Sequence, residues 1–164
     1  MTFLWLSVVL KSAYYGTQNG GGADTLSYVN SFKDDITLSF SEIWSRFIDR
    51  YANKGSESDI GYLLLEWLIS RFSSSYHFFT AIADLLFFIP FAKLLDKYCN
   101  SILEVLLGVM LYLALFHTFA MYGARQVYAI GLGMMSFHLY SEKRYKLALV
   151  PLVLAATIHM SSLL

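Results

Sequence analysis

From Tyr76 onward the chain consists of apolar stretches close to the length of a membrane-crossing helix, and nothing else in the sequence restricts its fold as strongly. A helix rising about 1.5 Å per residue needs about 20 residues to cross roughly 30 Å of hydrocarbon. Segments 76–95, 101–120, 126–140 and 145–164 each approach that length. The third is short and holds Gly131 and Gly133, small residues that let neighbouring helices come close, which places it centrally in a bundle. The composition agrees: 57% of the 164 residues are hydrophobic and 15% charged, against roughly 45–50% and about 25% in soluble domains. Too few charges are present to cover a water-facing surface. The expectation is an all-α membrane protein, a polytopic transmembrane helix bundle.

Twelve basic and twelve acidic residues leave no net charge, so nucleic acid is not an expected partner. The single cysteine, Cys99, excludes an internal disulfide framework and any multi-cysteine metal site. The opening MTFLWLSVVL lacks a basic n-region and a cleavage site, which argues against a secretory signal. Residues 1–10 are too few to span and read as the end of an incomplete span, and the chain stops inside an apolar stretch. The expectation is one partial domain, 1–164, truncated at both ends.

Basic residues set the orientation. Lys93 and Lys97 follow the first segment, and Lys143, Arg144 and Lys146 follow the third, so both turns face the cytoplasm. The MYGAR turn with Arg125, the end of the last segment with His159, and everything before Tyr76 are then external. That external region, about 15–75, opens on a flexible GTQNGGG run and a short polar helix, ADTLSYVNSF. Phe40, Ile43, Trp44, Phe47, Ile48 and Tyr51 follow at spacings of three and four. Ser39 and Glu42 form a capping box for this amphipathic helix, Gly55 can close it, and Arg46, Asp49 and Arg50 take the opposite face. Such a helix lies flat on a membrane or on the rest of its own protein. GYLLLEWLISRF, 61–72, is too short to span and reads as re-entrant or interfacial. No internal repeat is visible.

This topology gathers Asp24, Arg125 and His159 at or just below one external rim. Each has a plainer explanation. Asp24 serves equally well as an N-cap, and His159 as a hydrogen-bonding partner of a neighbouring helix. Arg125 is harder to dismiss. It sits at a helix N-terminus, where the macrodipole disfavours a cation, and near hydrocarbon, where a snorkelling role suits it poorly. An anionic ligand shared with the free N–H groups of the helix would resolve the conflict. Asp84 falls near the middle of a span, where a carboxylate costs roughly 2.5–3.5 kcal/mol on insertion scales and must face the bundle or a wet cavity. His117 could join the rim, though packing is the plainer role, and His77, His138 and Glu104 read as interfacial. The aromatic residues read as core and membrane belts. No metal-ligand spacing, phosphate loop or hydrolase elbow is present, so neither metal nor cofactor is expected.

The stretch from MYGARQ to HMSSLL resembles the EpsG family of membrane polysaccharide polymerases, relatives of the Wzy-type polymerases. That family pairs a Gly-x-Arg-Gln turn opening one span with a His-x-Ser element ending the next; Gly123, Arg125, Gln126, His159 and Ser161 match. Its Gly-x-Asp-Thr element is matched by Asp24 and Thr25, followed by Tyr28 and Phe32. An acidic-Pro-Gly-Tyr element is matched by Asp59, Gly61 and Tyr62, with Ile60 replacing the proline. The likeness covers nearly the whole chain but only the first half of a typical member, and the GTQNGGGAD stretch is expanded relative to the pattern. The resemblance implies a glycosyltransferase at the outer face of the cytoplasmic (inner) membrane. It joins polyprenyl-pyrophosphate-linked oligosaccharide repeats in exopolysaccharide, capsule or O-antigen biosynthesis. Arg125, His159 and Asp24 are then the catalytic candidates, with Thr25, Tyr28, Asp59, Tyr62 and Gln126 binding substrate. Arg125 would stabilise the leaving pyrophosphate, and His159 or Asp24 would be the general base. The lipid bilayer is the surrounding partner, and export or chain-length proteins are candidate partners.

Two other readings compete. In a non-enzymatic transporter or membrane subunit, Asp84, Arg125 and His159 would line a solute path, although transporters usually show polar residues at the midplane and a repeated half. Alternatively, the chain is a catalytically inactive fragment.

Overall fold

The computed structural model describes residues 25–52, 59–115 and 123–159. Among them the chain forms eight helices and no strand. These are α1 (Thr25–Asp35), α2 (Phe40–Ala52), α3 (Ile60–Ser70), α4 (Tyr76–Ala83), α5 (Leu85–Tyr98), α6 (Ile102–Leu115), α7 (Ala124–Ser141) and α8 (Tyr145–Ile158). Residues 1–10, the GTQNGGG run, Asp24, Gly55, His117 and Ser161 lie outside the described residues. One run, Tyr76–Tyr98, is long and apolar enough to cross a membrane, and α3, α6 and α8 are shorter apolar helices. A turn at Asp84 separates α4 from α5 within that run.

The frame is built from α5, α7 and α8, with α7 packed most extensively against both partners. Its contact with α5 depends on two residues. Pro90 lies inside α5 and has no N–H, so the Leu86 carbonyl one turn earlier loses its helical donor. Gly131 of α7 comes against that spot: a Cβ there would collide with the Leu86 carbonyl and stand 2.6 Å from the Phe87 Cα. Gly133 does not share this role, since nothing lies within 4 Å of a Cβ placed there. Of the two glycines expected to serve close packing, only Gly131 does so. Between α7 and α8, the Ser136 hydroxyl donates to the Ala148 carbonyl at 2.7 Å. The intervening turn closes through Lys143 at φ 62°, with the Arg144 N–H donating to the Leu139 carbonyl at 3.0 Å. That is the six-to-one bond that satisfies a helix end.

Helices α1 to α3 pack together where α4 begins. Phe32 of α1 is buried, with ring centroids 5.5 Å from Tyr76 and 5.3 Å from Phe79. The segment between α1 and α2 is tied to the far end of α3. Trp67 Nε1 donates to the Leu38 carbonyl at 3.0 Å, and Arg71 donates to the Ile36 carbonyl at 2.8 Å. The capping box of α2 is present: the Ser39 N–H donates to the Glu42 carboxylate at 2.7 Å and the Glu42 N–H to the Ser39 hydroxyl at 3.4 Å. These bonds hold the Glu42 carboxyl below its ordinary range. One half of the apolar arc of α2, Ile43 and Phe47, packs against Ile60, Leu63 and Trp67 of α3.

Candidate functional site

Three helix ends converge through one close crossing. Gly61, in the first turn of α3, lies against Thr157 near the end of α8, where a Cβ would clash with the Thr157 hydroxyl and stand 2.7 Å from its carbonyl carbon. Only the missing side chain permits this approach. Two residues back from Gly61 is Asp59, and two residues on from Thr157 is His159. The crossing therefore delivers both to one place, and α7 brings Arg125 from its first turn.

Asp59 is the hub. It occupies the N-cap position of α3 with extended backbone angles, yet its carboxylate makes no cap bond to the helix. Its Oδ2 instead lies 3.3 Å from Arg125 Nη1 and 3.5 Å from His159 Nδ1. The carboxylate is largely sheltered, at 10% exposure, whereas the Arg125 side chain keeps 36%. The Arg125 Cζ also stands 5.5 Å from the Tyr28 ring centroid and 5.7 Å from that of Tyr62, both within cation–π range. Tyr62 stacks on Tyr128, one turn into α7, at 6.3 Å with 11° between planes. The sequence posed a cation at a helix N-terminus near hydrocarbon. An aspartate and two tyrosine faces answer that conflict within the chain itself. A guanidinium carries five donors, so this pairing leaves Arg125 capacity for an anion.

The structure brings together Arg125, His159, Asp59, Tyr28 and Tyr62 from the expected residues. Gln126 is half-buried next to Arg125, and Thr25 opens α1. Asp84 lies beside Tyr128, so the mid-span carboxylate has a neighbouring hydroxyl. Among the described residues no group of three His, Cys, Asp or Glu side chains is placed to hold a metal ion.

Glu66 is a residue that sequence reasoning missed. It lies one turn beyond Tyr62 on the same face of α3, fully buried, with both carboxyl oxygens sealed from solvent. Tyr62 and Asp35 lie beside it, although neither meets it in good hydrogen-bonding geometry. Burial, reinforced by the Asp35 charge, pushes the Glu66 carboxyl up to about 9. Burial also raises Asp35, against the pull of Arg46 at 3.2 Å. The signal was available: Glu66 is the one charged residue within IGYLLLEWLIS.

The family model for EpsG matches residues 1–164. This chain belongs to the EpsG family. No curated protein and no solved structure matches it. EpsG is a family of membrane proteins connected with polysaccharide biosynthesis. The cluster of Asp59, Arg125 and His159 is therefore a candidate site of an EpsG protein.

Proposed function

We propose that this EpsG-family chain is an integral-membrane glycosyltransferase, a polymerase joining polyprenyl-pyrophosphate-linked repeat units in extracellular polysaccharide biosynthesis. In this reading its multi-pass helices lie in the cytoplasmic membrane, and the site opens on the external face. The observation that carries the reading is the Asp59 carboxylate seated between Arg125 and His159, three residues from three helix ends.

The chemistry needs charge stabilisation at the leaving pyrophosphate and a base for the attacking hydroxyl. Arg125, partly exposed and held by Asp59, Tyr28 and Tyr62, supplies the first through the donors that Asp59 does not take. His159 supplies the second. Its Nδ1 faces Asp59, which orients the ring and stabilises the imidazolium formed on proton uptake from the sugar hydroxyl. The hydroxyl oxygen attacks the anomeric carbon, the bond from that carbon to the pyrophosphate oxygen breaks, and the proton passes to His159. Asp59 thereby becomes a positioning residue for both partners, in addition to the substrate-binding role that the family resemblance suggests. Capsule, exopolysaccharide and O-antigen remain alternative products of this same chemistry.

The test replaces Arg125 with Ala and with Lys in the full-length chain and measures polymer length in cells. Loss of one charged donor set at a leaving group is worth on the order of 10²-fold in rate, so Arg125→Ala is expected to collapse long polymer. Arg125→Lys is expected to restore little, because an ammonium cannot span Asp59 and a phosphate with a planar fork. Normal long polymer in both variants refutes the proposal.

A further inference from the structure

Helix α2 leaves much of its apolar surface uncovered by the described residues. At about 100° per residue, Ile43, Phe47, Phe40, Trp44 and Ile48 form one continuous apolar arc of roughly 140°. Ile43 and Phe47 pack against α3. Phe40, Trp44 and Ile48, successive residues at i, i+4 and i+8, stay 58%, 54% and 44% exposed, although one side of the Phe40 ring meets Trp67 at 5.8 Å and Trp44 stacks on Phe47 at 5.0 Å. The arc has no polar break between its buried and bare halves. The remaining circumference carries Ser41, Ser45, Asp49, Glu42 and Arg46, all exposed. An open groove beside Trp44 is lined by Ser41, Ser45, Arg46, Ile48 and Asp49, so the bare apolar stripe borders a polar shelf.

We propose that the Phe40–Trp44–Ile48 face of α2 is a membrane-binding surface, seated among the headgroups and upper acyl chains of a zwitterionic bilayer. Two features select lipid over a protein groove, and a third selects the kind of lipid. The chain belongs to a membrane family, and α6 and α8 likewise present large bare apolar faces, including Leu106, Met110, Leu149 and Val153. The stripe contains tryptophan, whose amphipathic ring favours the membrane–water interface. The helix carries Glu42, Asp49, Arg46 and Arg50, two charges of each sign, so no anionic partner is called for. An interfacial helix of this kind buries its apolar face about 5–10 Å into the headgroup and acyl boundary. Because its other half is packed on α3, the surface sets the depth of α3 and thus of Asp59. The inference depends on the membrane reading and is independent of the glycosyl-transfer reading.

The test uses the full chain in phosphatidylcholine nanodiscs with Trp44 as its one tryptophan, through Trp5→Phe and Trp67→Phe. Lipids brominated high on the acyl chain should quench Trp44 most strongly, at the depth an interfacial helix reaches. Lipids brominated near the chain end should quench less, and aqueous iodide little. Since Trp67→Phe removes the bond to the Leu38 carbonyl, a second arm keeps all tryptophans. Spin labels are placed at Ile48→Cys or Asp49→Cys in a Cys99→Ser background. The Ile48 label is expected to meet dissolved oxygen and the Asp49 label a water-soluble nickel complex. Quenching of Trp44 by iodide and not by brominated lipid overturns the proposal. Shielding from both quenchers also overturns it, since that result places a protein on the stripe. Polymer length does not enter either measurement, so failure here leaves the reaction assignment untouched.

Discussion

Gly61→Ala tests how the site is assembled. The added methyl would meet the Thr157 hydroxyl and stand 2.7 Å from the Thr157 carbonyl carbon and 2.8 Å from its Cβ. A backbone carbon cannot rotate away, so α3 and α8 must part by roughly 0.7 Å to reach an ordinary contact. His159 lies two residues from the point of contact, and its Nδ1 is already 3.5 Å from Asp59. That separation would then open to about 4 Å, beyond hydrogen-bonding reach. Overpacking of this kind costs about 1–3 kcal/mol, and a misplacement near 1 Å at a reacting centre can cost on the order of 10²-fold in rate. Two readouts are needed: thermal stability of the purified protein in detergent and polymer length in cells. Both should fall. Thr157→Ala in the same chain should recover only part, because the carbonyl carbon remains. Gly133→Ala is the control, with nothing within 4 Å of the new methyl; relief of helix-interior glycine should stabilise it by about 0.5–1 kcal/mol. Full stability and normal polymer in Gly61→Ala would refute the claim that this crossing builds the site.

Two further expectations follow from local physics. Glu66 holds its proton in the folded chain up to about 9, against 4.5 ordinarily, through burial and the neighbouring Asp35. The folded state thus binds the proton more tightly, so the contribution is whole below the ordinary value and is lost as pH rises through about 9. Melting temperature should fall across that window, and Glu66→Gln should flatten the fall; an equally steep profile in the variant would discount Glu66. Lys143 occupies the left-handed region at φ 62°, where a side chain costs roughly 1 kcal/mol. Lys143→Gly should raise the melting point by a few degrees, and a lowered one would contradict the strain argument.

Residues that sit on regular patterns were legible in the sequence, and those defined by a crossing were not. The charge asymmetry of the turns pointed to Arg125 and His159 as neighbours, and the two do meet at Asp59. Asp59 entered the sequence reading only through the family resemblance, and its centrality was hidden because it depends on the crossing of α3 and α8, which no spacing encodes. Gly131 and Gly133 looked equivalent in sequence, yet the freed Leu86 carbonyl lies opposite one and open space opposite the other. Asp84 announced that it needed a neighbour, but a contact from α4–α5 to Tyr128 of α7 depends on helix rotation that no spacing encodes. The Ser39–Glu42 box was fully readable, being a matter of three residues along one chain. Glu66 stood out as the one charged residue of its apolar helix, but the neighbour that presses on it, Asp35, comes only from the packing of α1 on α3.

The separation of the site residues along the chain has one further consequence. Asp59 and His159 are one hundred positions apart, so a ribosome releases the carboxylate long before the imidazole. Until α8 threads into place, the emerging polypeptide owns a guanidinium and an acid but no completed triplet. The contact between Asp59 and His159 therefore forms only after α8 has been made, in a late step that docks α8 against the first turn of α3.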